Sequence, residues 1–486
     1  MRARSVAAAF VVAGVLGLAA RPAAANGAFP NVSQLVADPD DPSHMVLRAT
    51  FGLLVTRNGG ADWDWLCEAG MGYQDIEPPL TVLAGGTILL GLPNGVGRSD
   101  PSGCDFASAS GLTASVVDVS RVVARPGEAV ALSVTETTSQ VWRTTDGGQS
   151  FEKLGIELRD FVATTLDVAP GDPKRLYVSG VGTDGPLLLR SDDRGETFEA
   201  TELPKTDTAR RPFIALVGPD DDTVFVRLDG LPGYLLASRD AGATFEQVLE
   251  LRVPIQGFSL SPDRQSVLAT NSFDGSYRAD LETLEFERIS CRGPSCLLWT
   301  SQGLFGCGSN LTDGYVLGSS GDHGATFERV VDLSCVRGPL ACDEDSSTGS
   351  TCESVWPAVQ MQLGAETCSP PATPAPLSCG LETPGGDGGA AGDGAEGGAG
   401  GEPAPSSSGG SGDLGGAPAE PGGGSNAGYA GSFVSRPPAA EPEASGCGCQ
   451  LPRPRLGLNG WLWTLLGAIA LAIVNRRATG KRARPT

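Results

Sequence analysis

The chain has 486 residues, of which 68 are Gly and 36 are Pro. That is a fifth of the sequence, against roughly 12% in ordinary globular chains, and it excludes a helix-only protein. The net charge is −22, and residues 26–450 alone carry 25 basic against 57 acidic side chains. A body this acidic repels phosphate, so nucleic acid is excluded as a partner.

The first 25 residues read as a secretory signal. Arg2 and Arg4 form a basic start, Ala7 to Ala20 an apolar run, and Ala23-Ala24-Ala25 a small-residue cleavage site before Asn26. The apolar run is short for a membrane span. Export is therefore expected.

From about residue 28 to 335 the sequence repeats. Four segments share one pattern: Thr144–Phe151, Ser191–Phe198, Ser238–Phe245 and Ser320–Phe327. A fifth, Thr56–Trp63, carries Asn in place of Asp. The pattern is [ST]-x-[DN]-x-G-x-x-[FW]. Weaker copies end at Phe106 and Phe286, so the aromatics fall at 63, 106, 151, 198, 245, 286 and 327. The period of roughly 45 residues survives where the motif decays. A Pro/Asp turn keeps phase upstream of most copies, as in LVADPDDP at 35–42 and LDVAPGDP at 166–173. Short apolar runs flank both marks, giving four strands per unit. Seven such units predict an all-β, seven-bladed β-propeller over 26–335.

The repeated box resembles the Asp-box (BNR) repeat of sialidase-like propellers, and the repeats of the sortilin ectodomain and of photosystem assembly factors. The resemblance covers seven units. Within it the Asp or Asn accepts backbone N–H groups across a tight turn, the Gly supplies an angle other residues resist, and the aromatic fills space between blades. The structural box set is then Asn58, Gly60, Trp63, Asp146, Gly148, Phe151, Asp193, Gly195, Phe198, Asp240, Gly242, Phe245, Asp322, Gly324 and Phe327. The resemblance places these at the periphery, away from a central pocket.

Ten cysteines precede the tail: Cys67, Cys104, Cys291, Cys296, Cys307, Cys335, Cys342, Cys352, Cys368 and Cys379. An even number in an exported chain indicates disulfides, whose connectivity spacing alone does not give. Cys67 and Cys104 are expected to bridge neighbouring blades, and Cys291 and Cys296 to staple blade 6, where the box is lost. The crowded cysteines make 336–380 a small Cys-rich cap. Residues 381–446 are a Gly/Pro/Ser-rich tether that buries too little apolar surface to order itself.

The tail, 447–486, has Cys447 and Cys449, an uncharged apolar run over 456–474, and Arg476, Arg477, Lys481, Arg482 and Arg484 beyond it. This order of parts resembles the MYXO-CTERM sorting tail of myxobacteria. That resemblance implies surface anchoring through the Cys region, a C-terminal sorting peptidase as partner, and membrane contact through the helix before processing. A plain single-span membrane protein is the other reading.

Catalytic residues are not found. A sialidase-type site needs three Arg, a Tyr–Glu nucleophile, an Asp acid and an F/Y-R-I/V-P segment; the nearest string, Arg210-Arg211-Pro212-Phe213, has the wrong order. No cofactor site is read. No metal site is read either, because CxxC pairs are absent, only His44 and His323 occur, and the oxygen-rich stretches 38–42 and 342–349 lack EF-hand spacing. The expected function is recognition of a protein or glycan at the cell surface. The alternative is a glycoside hydrolase with a carboxylate pair in the central cleft, and an assembly or folding factor is a third reading.

Overall fold

The computed structural model describes residues 30–369, apart from 205–209 and 219. The signal segment 1–25, Cys379, the tether 381–446, Cys447, Cys449 and the apolar run 456–474 lie outside the described residues.

Seven antiparallel sheets of four strands follow one another along the chain. Blade 1 spans 32–66, blade 2 80–108, blade 3 116–159, blade 4 161–202, blade 5 211–251, blade 6 257–290 and blade 7 297–331. Every blade is built from contiguous chain, with strands in sequence order from the inner to the outer edge. Second and third strands such as Met45–Ala49 and Gly52–Thr56 are buried from end to end and mostly apolar, with Arg48 the charged exception, because a blade is covered on both faces by its neighbours. Leu47 pairs with Leu35 on one side and Leu54 on the other. The outer strands, such as Glu199–Glu202, are polar and largely exposed.

This order gives the ring two unlike faces. The turns joining first to second and third to fourth strands form one, here the lower face. The hairpins joining second to third strands, and the links between blades, form the upper face. Both sequence marks fall on the lower face, where backbone bonds join them. Gly147 donates to the Gly127 carbonyl at 3.0 Å, Arg194 to Lys174 at 2.9 Å and Ala241 to Asp222 at 2.8 Å. The Pro/Asp turn and the box keep phase because they are two halves of one support.

Each box is a closed hydrogen-bond ring. In blade 5, Asp240 accepts from the Thr244 backbone N–H at 2.9 Å, the Thr244 hydroxyl at 2.7 Å and the Ser238 hydroxyl at 2.7 Å. Asp193 and Asp322 repeat the pattern with Thr197 and Thr326, and Asp146 repeats it with Ser150. Asn58 does the same through the Asp62 N–H at 3.0 Å. The aromatics reach back toward the preceding blade: Phe151 packs with Leu89 and Val96, and Phe327 with Leu268. Gly148 shows why glycine is needed. Its φ is +84°, and a Cβ there would stand 2.4 Å from Leu89 Cδ2. Gly148→Ala should lose about 2–3 kcal/mol, read as a lower denaturant midpoint at unchanged slope.

The disulfides differ from the sequence expectation. Cys67 and Cys104 do not bridge each other: Cys67 joins Cys352 and Cys104 joins Cys342. Cys296 joins Cys307 within blade 7, so blade 6 is not stapled by a Cys291–Cys296 pair. The reason is the path after blade 7. Residues 337–340 run parallel to the outer strand of blade 1, with Trp65 N–H donating to the Gly338 carbonyl at 2.7 Å and Leu340 N–H to Trp65 at 2.9 Å. Arg337 pairs with Asp64 at 2.7 Å and Asp62 at 3.1 Å. The chain then lies against blades 1 and 2, and both bridges form there. The helix Gly349–Leu363 sets Trp356 against Trp65 with ring centres 5.4 Å apart. Cys368 returns to Cys335 at the end of blade 7. One apolar core runs through this junction, from Leu298, Phe305 and Leu317 of blade 7 to Leu35, Met45 and Trp63 of blade 1.

Candidate functional site

The inner strands bring two carboxylates together that the sequence reading passed over. Asp118 stands on the inner strand of blade 3 and Asp167 on that of blade 4, and both are buried. Asp118 accepts from Leu166 N–H at 2.8 Å and Val119 N–H at 2.9 Å. Asp167 accepts from Val168 N–H at 2.9 Å and the Ser120 hydroxyl at 3.1 Å. Arg121, next to Ser120, reaches the carbonyls of Ala37 at 2.8 Å and Val82 at 3.3 Å, which ties blade 3 to blades 1 and 2.

Burial raises both acids. Desolvation lifts Asp167 to about 6 against the opposing bond from Val168, and it holds Asp118 well above the usual carboxylate range, with the Asp167 charge adding to it. Perturbed acids often mark chemistry. Here their oxygens face backbone donors of adjoining strands, so the pair acts as interblade glue. The box acids move the other way. The Thr244 hydroxyl and N–H hold Asp240 at about 2, and Thr197 does the same for Asp193. These are turn acids, as are Asp220 on Thr223 and Asp221 on Gly171 N–H. Tyr177 is buried and donates from its hydroxyl to the Ala241 carbonyl at 3.3 Å.

A cleft opens on the lower face between blades 6 and 7. It has a volume of about 350 Å³ and is lined by Ser261 to Asp263, Trp299 to Gly303 and His323. Each wall is a turn the fold repeats. Ser261–Asp263 is the first turn of blade 6, Thr300–Gly303 that of blade 7, and His323 sits inside the blade 7 box at φ +61°. Asp263 accepts from the Ser261 hydroxyl at 2.5 Å and Gln265 N–H at 3.1 Å. The Ser261 bond, with Gln265 behind it, holds its carboxyl below the usual range. The edge of His323 meets Trp299 at 5.7 Å and 85°. The cleft therefore offers one carboxylate, an imidazole, the Gln302 carboxamide and three hydroxyls around an aromatic floor.

None of the predicted box residues lines this cleft; blade 7's box contributes only through His323, which stands between Asp322 and Gly324. Trp299 and Gln302 carried no sequence signal, because each stands in a turn or strand of ordinary composition, whereas Asp263 lies in the Pro/Asp turn that the repeat marks at 258–264. Asp118 and Asp167 were visible as acids inside apolar runs, VVDVS and TTLDV. The R-x-P string at 210–212, weighed only as a sialidase-type segment, has counterparts at 252–254 and 292–294 that went unread. Each leads into an inner strand on the upper face. Among the described residues, no group of three His, Cys, Asp or Glu is placed to hold a metal ion. No helix among them is long and apolar enough to cross a membrane.

No protein-family model matches the chain, and no curated protein matches it. Among solved structures, an ancestral GH74 enzyme is similar at 15% identity and TM-score 0.47, covering 58% of this chain and 44% of that one. The extracellular domain of a putative hybrid two component system from B. thetaiotaomicron is similar at 13% identity and TM-score 0.41, covering 56% and 34%. YCF48 bound to D1 peptide is similar at 13% identity and TM-score 0.43, covering 57% and 89%. The chain spans less than half the length of the first two.

Proposed function

We propose that this is an exported, surface-anchored β-propeller that binds a protein or glycan partner without turning it over, through the lower-face cleft between blades 6 and 7. The observation that carries the reading is the contrast between two sites. The one close pair of inner-strand acids identified here is buried and bonded to backbone, whereas the cleft presents single polar groups to solvent. A two-carboxylate hydrolase needs both acids on an open path, separated by about 5–10 Å. A binding cleft needs converging donors and acceptors beside an apolar surface, and Asp263, Gln302, His323 and Trp299 supply them. The single carboxylate favours a hydroxylated neutral group or a cationic side chain over a polyanion. The box residues act as scaffold in this reading, and the Asp-box and MYXO-CTERM resemblances supply the surface setting.

The test is a glycan array and a panel of polysaccharide substrates at pH 4–8, both with the oxidised full chain. Retention of a glycan class without sugar release is expected, with at least a tenfold loss in Gln302→Ala and His323→Ala. Release of reducing sugar would return the hydrolase reading. Binding unchanged in both variants would remove the cleft as the site.

A further inference from the structure

The upper face of the ring is not uniform. In blades 2, 3 and 4 the hairpin between second and third strands is short and polar, at 93–94, 135–137 and 183–184. Glu136 and Asp184 are exposed there. In blades 5, 6 and 7 each hairpin instead exposes one large apolar side chain: Leu231 at 73%, Phe273 at 70% and Leu311 at 76%. Blade 1 differs again, because its Phe51 packs against the core at the junction with blade 7.

The charges of the apolar sector are sorted by depth. Arg252 pairs with Asp274 at 2.5 Å, and Arg292 with Asp313 at 3.2 Å. The arginines stand outward, 79% and 46% exposed, whereas the acids are held back at 5% and 26%. Arg211 is exposed and lies opposite half-buried Asp229 in the strand ladder. Arg210 donates to the Pro232 carbonyl, next to Leu231. Counting Arg211 and Asp229 at the strand ends, the described hairpins of these blades and the links into them hold four guanidiniums against three carboxylates. They do so on a chain of net charge −22.

We propose that this sector docks on an anionic lipid surface. Leu231, Phe273 and Leu311 enter the apolar boundary, and Arg211, Arg252 and Arg292 meet the phosphates. The spacing of the tips favours lipid over protein. A protein-binding patch is contiguous. Here each apolar tip stands on its own hairpin beside small residues such as Gly230, Ser272 and Thr312. A fluid acyl boundary accepts three separate side chains without needing pockets at fixed spacings. The charge order points the same way. Guanidinium forks bind phosphate oxygens in pairs, and their stems tolerate the interface. With its acids withdrawn, the sector escapes the repulsion that the rest of this acidic body meets at an anionic surface. Glu136 and Asp184 keep blades 2–4 off it, so the ring docks tilted on blades 5–7. The lower-face cleft then faces away from the lipid and stays open. The docking goes beyond the cleft reading and does not depend on it.

The experiment mixes full-length oxidised protein with vesicles and reads hydroxyl-radical labelling. The vesicles are equal parts phosphatidylglycerol and phosphatidylcholine, or phosphatidylcholine alone. Labelling of Leu231, Phe273 and Leu311 should fall at least threefold on the anionic vesicles. Exposed Ile156, on the outer strand of blade 3, should keep its level. Protection should need about five times more lipid on phosphatidylcholine alone. A Leu231→Ser/Phe273→Ser/Leu311→Ser variant changes only exposed side chains, so its denaturant midpoint should match the parent's. Anionic vesicles should slow amide exchange over 271–275 in the parent and not in the variant. Both are full chains, so any contact made by residues 456–474 is common to them. Unchanged labelling on vesicles overturns the proposal, as does exchange slowed equally in the variant. Equal protection on the two lipids removes the role of the guanidiniums and overturns it too. Protection in lipid-free buffer that grows with protein concentration would make a second copy the partner instead.

Discussion

Loss of the Cys67–Cys352 bridge should lower stability by about 4 kcal/mol, and loss of Cys104–Cys342 as well should leave no folded ring. The bridges close 285 and 238 residues of chain. In the loop-entropy account the cost of a closure grows with the logarithm of its length. With Cys104–Cys342 intact, the loop completed by Cys67–Cys352 shrinks to the stretches 67–104 and 342–352, so the single loss is the smaller. Removing both frees residues 341–363 from blades 1 and 2 and leaves Arg337 and the short parallel pairing to hold the junction. The control is Cys296→Ser/Cys307→Ser, which opens a closure of only 11 residues and should cost about 3 kcal/mol. Chemical denaturation of the three variants checks the order. A Cys67→Ser/Cys352→Ser protein no weaker than the control would show that the apolar junction alone closes the ring.

Stability should peak near pH 4 and fall on both sides, for two opposite reasons. Asp167 is raised from 3.8 to about 6, so the folded state holds a proton that the unfolded chain has released. Its contribution is present below about 4 and is lost as pH rises to about 6, a change of roughly 2–3 kcal/mol. Asp118 acts in the same direction. Asp146, Asp193 and Asp240 are lowered to about 2, so their contribution is present above about 4 and lost as pH falls through 2. Asp167→Asn should flatten the alkaline side of the melting curve between pH 4 and 7 and leave the acid side alone. An unchanged slope there would mean that Asp167 is ionised throughout.

The blades were legible in the sequence because each carries two marks on one face, and the period of Trp63, Phe106, Phe151 and their successors depends only on blade size. The disulfides were not. Cys67 and Cys104 look like partners along the chain, one blade apart, but the ring brings residues 342 and 352 beside them, and a pairing set by ring closure leaves no trace in local spacing. The cleft was hidden for a related reason. Its walls come from three turns spread between residues 261 and 323, and Trp299 and Gln302 acquire meaning only when blades 6 and 7 stand side by side. Asp118 and Asp167 broke an apolar pattern and so were detectable as exceptions. Their role depended on which backbone donors the neighbouring strand offered.

Many rings close by lending one terminal strand to the other end's sheet. Here each four-stranded blade among the described residues is a consecutive stretch, and the seal is added afterwards by residues 337–352, which touch the blade 1 sheet only through a short parallel bridge at its outer edge. During synthesis the seven blades thus emerge as an open arc, with the flank of blade 1 bare until the last blade and its trailing segment arrive. The same separation of seal from repeat lets a whole blade be duplicated or deleted without cutting a sheet, so that blade number in such a ring is free to drift while the clasp stays constant.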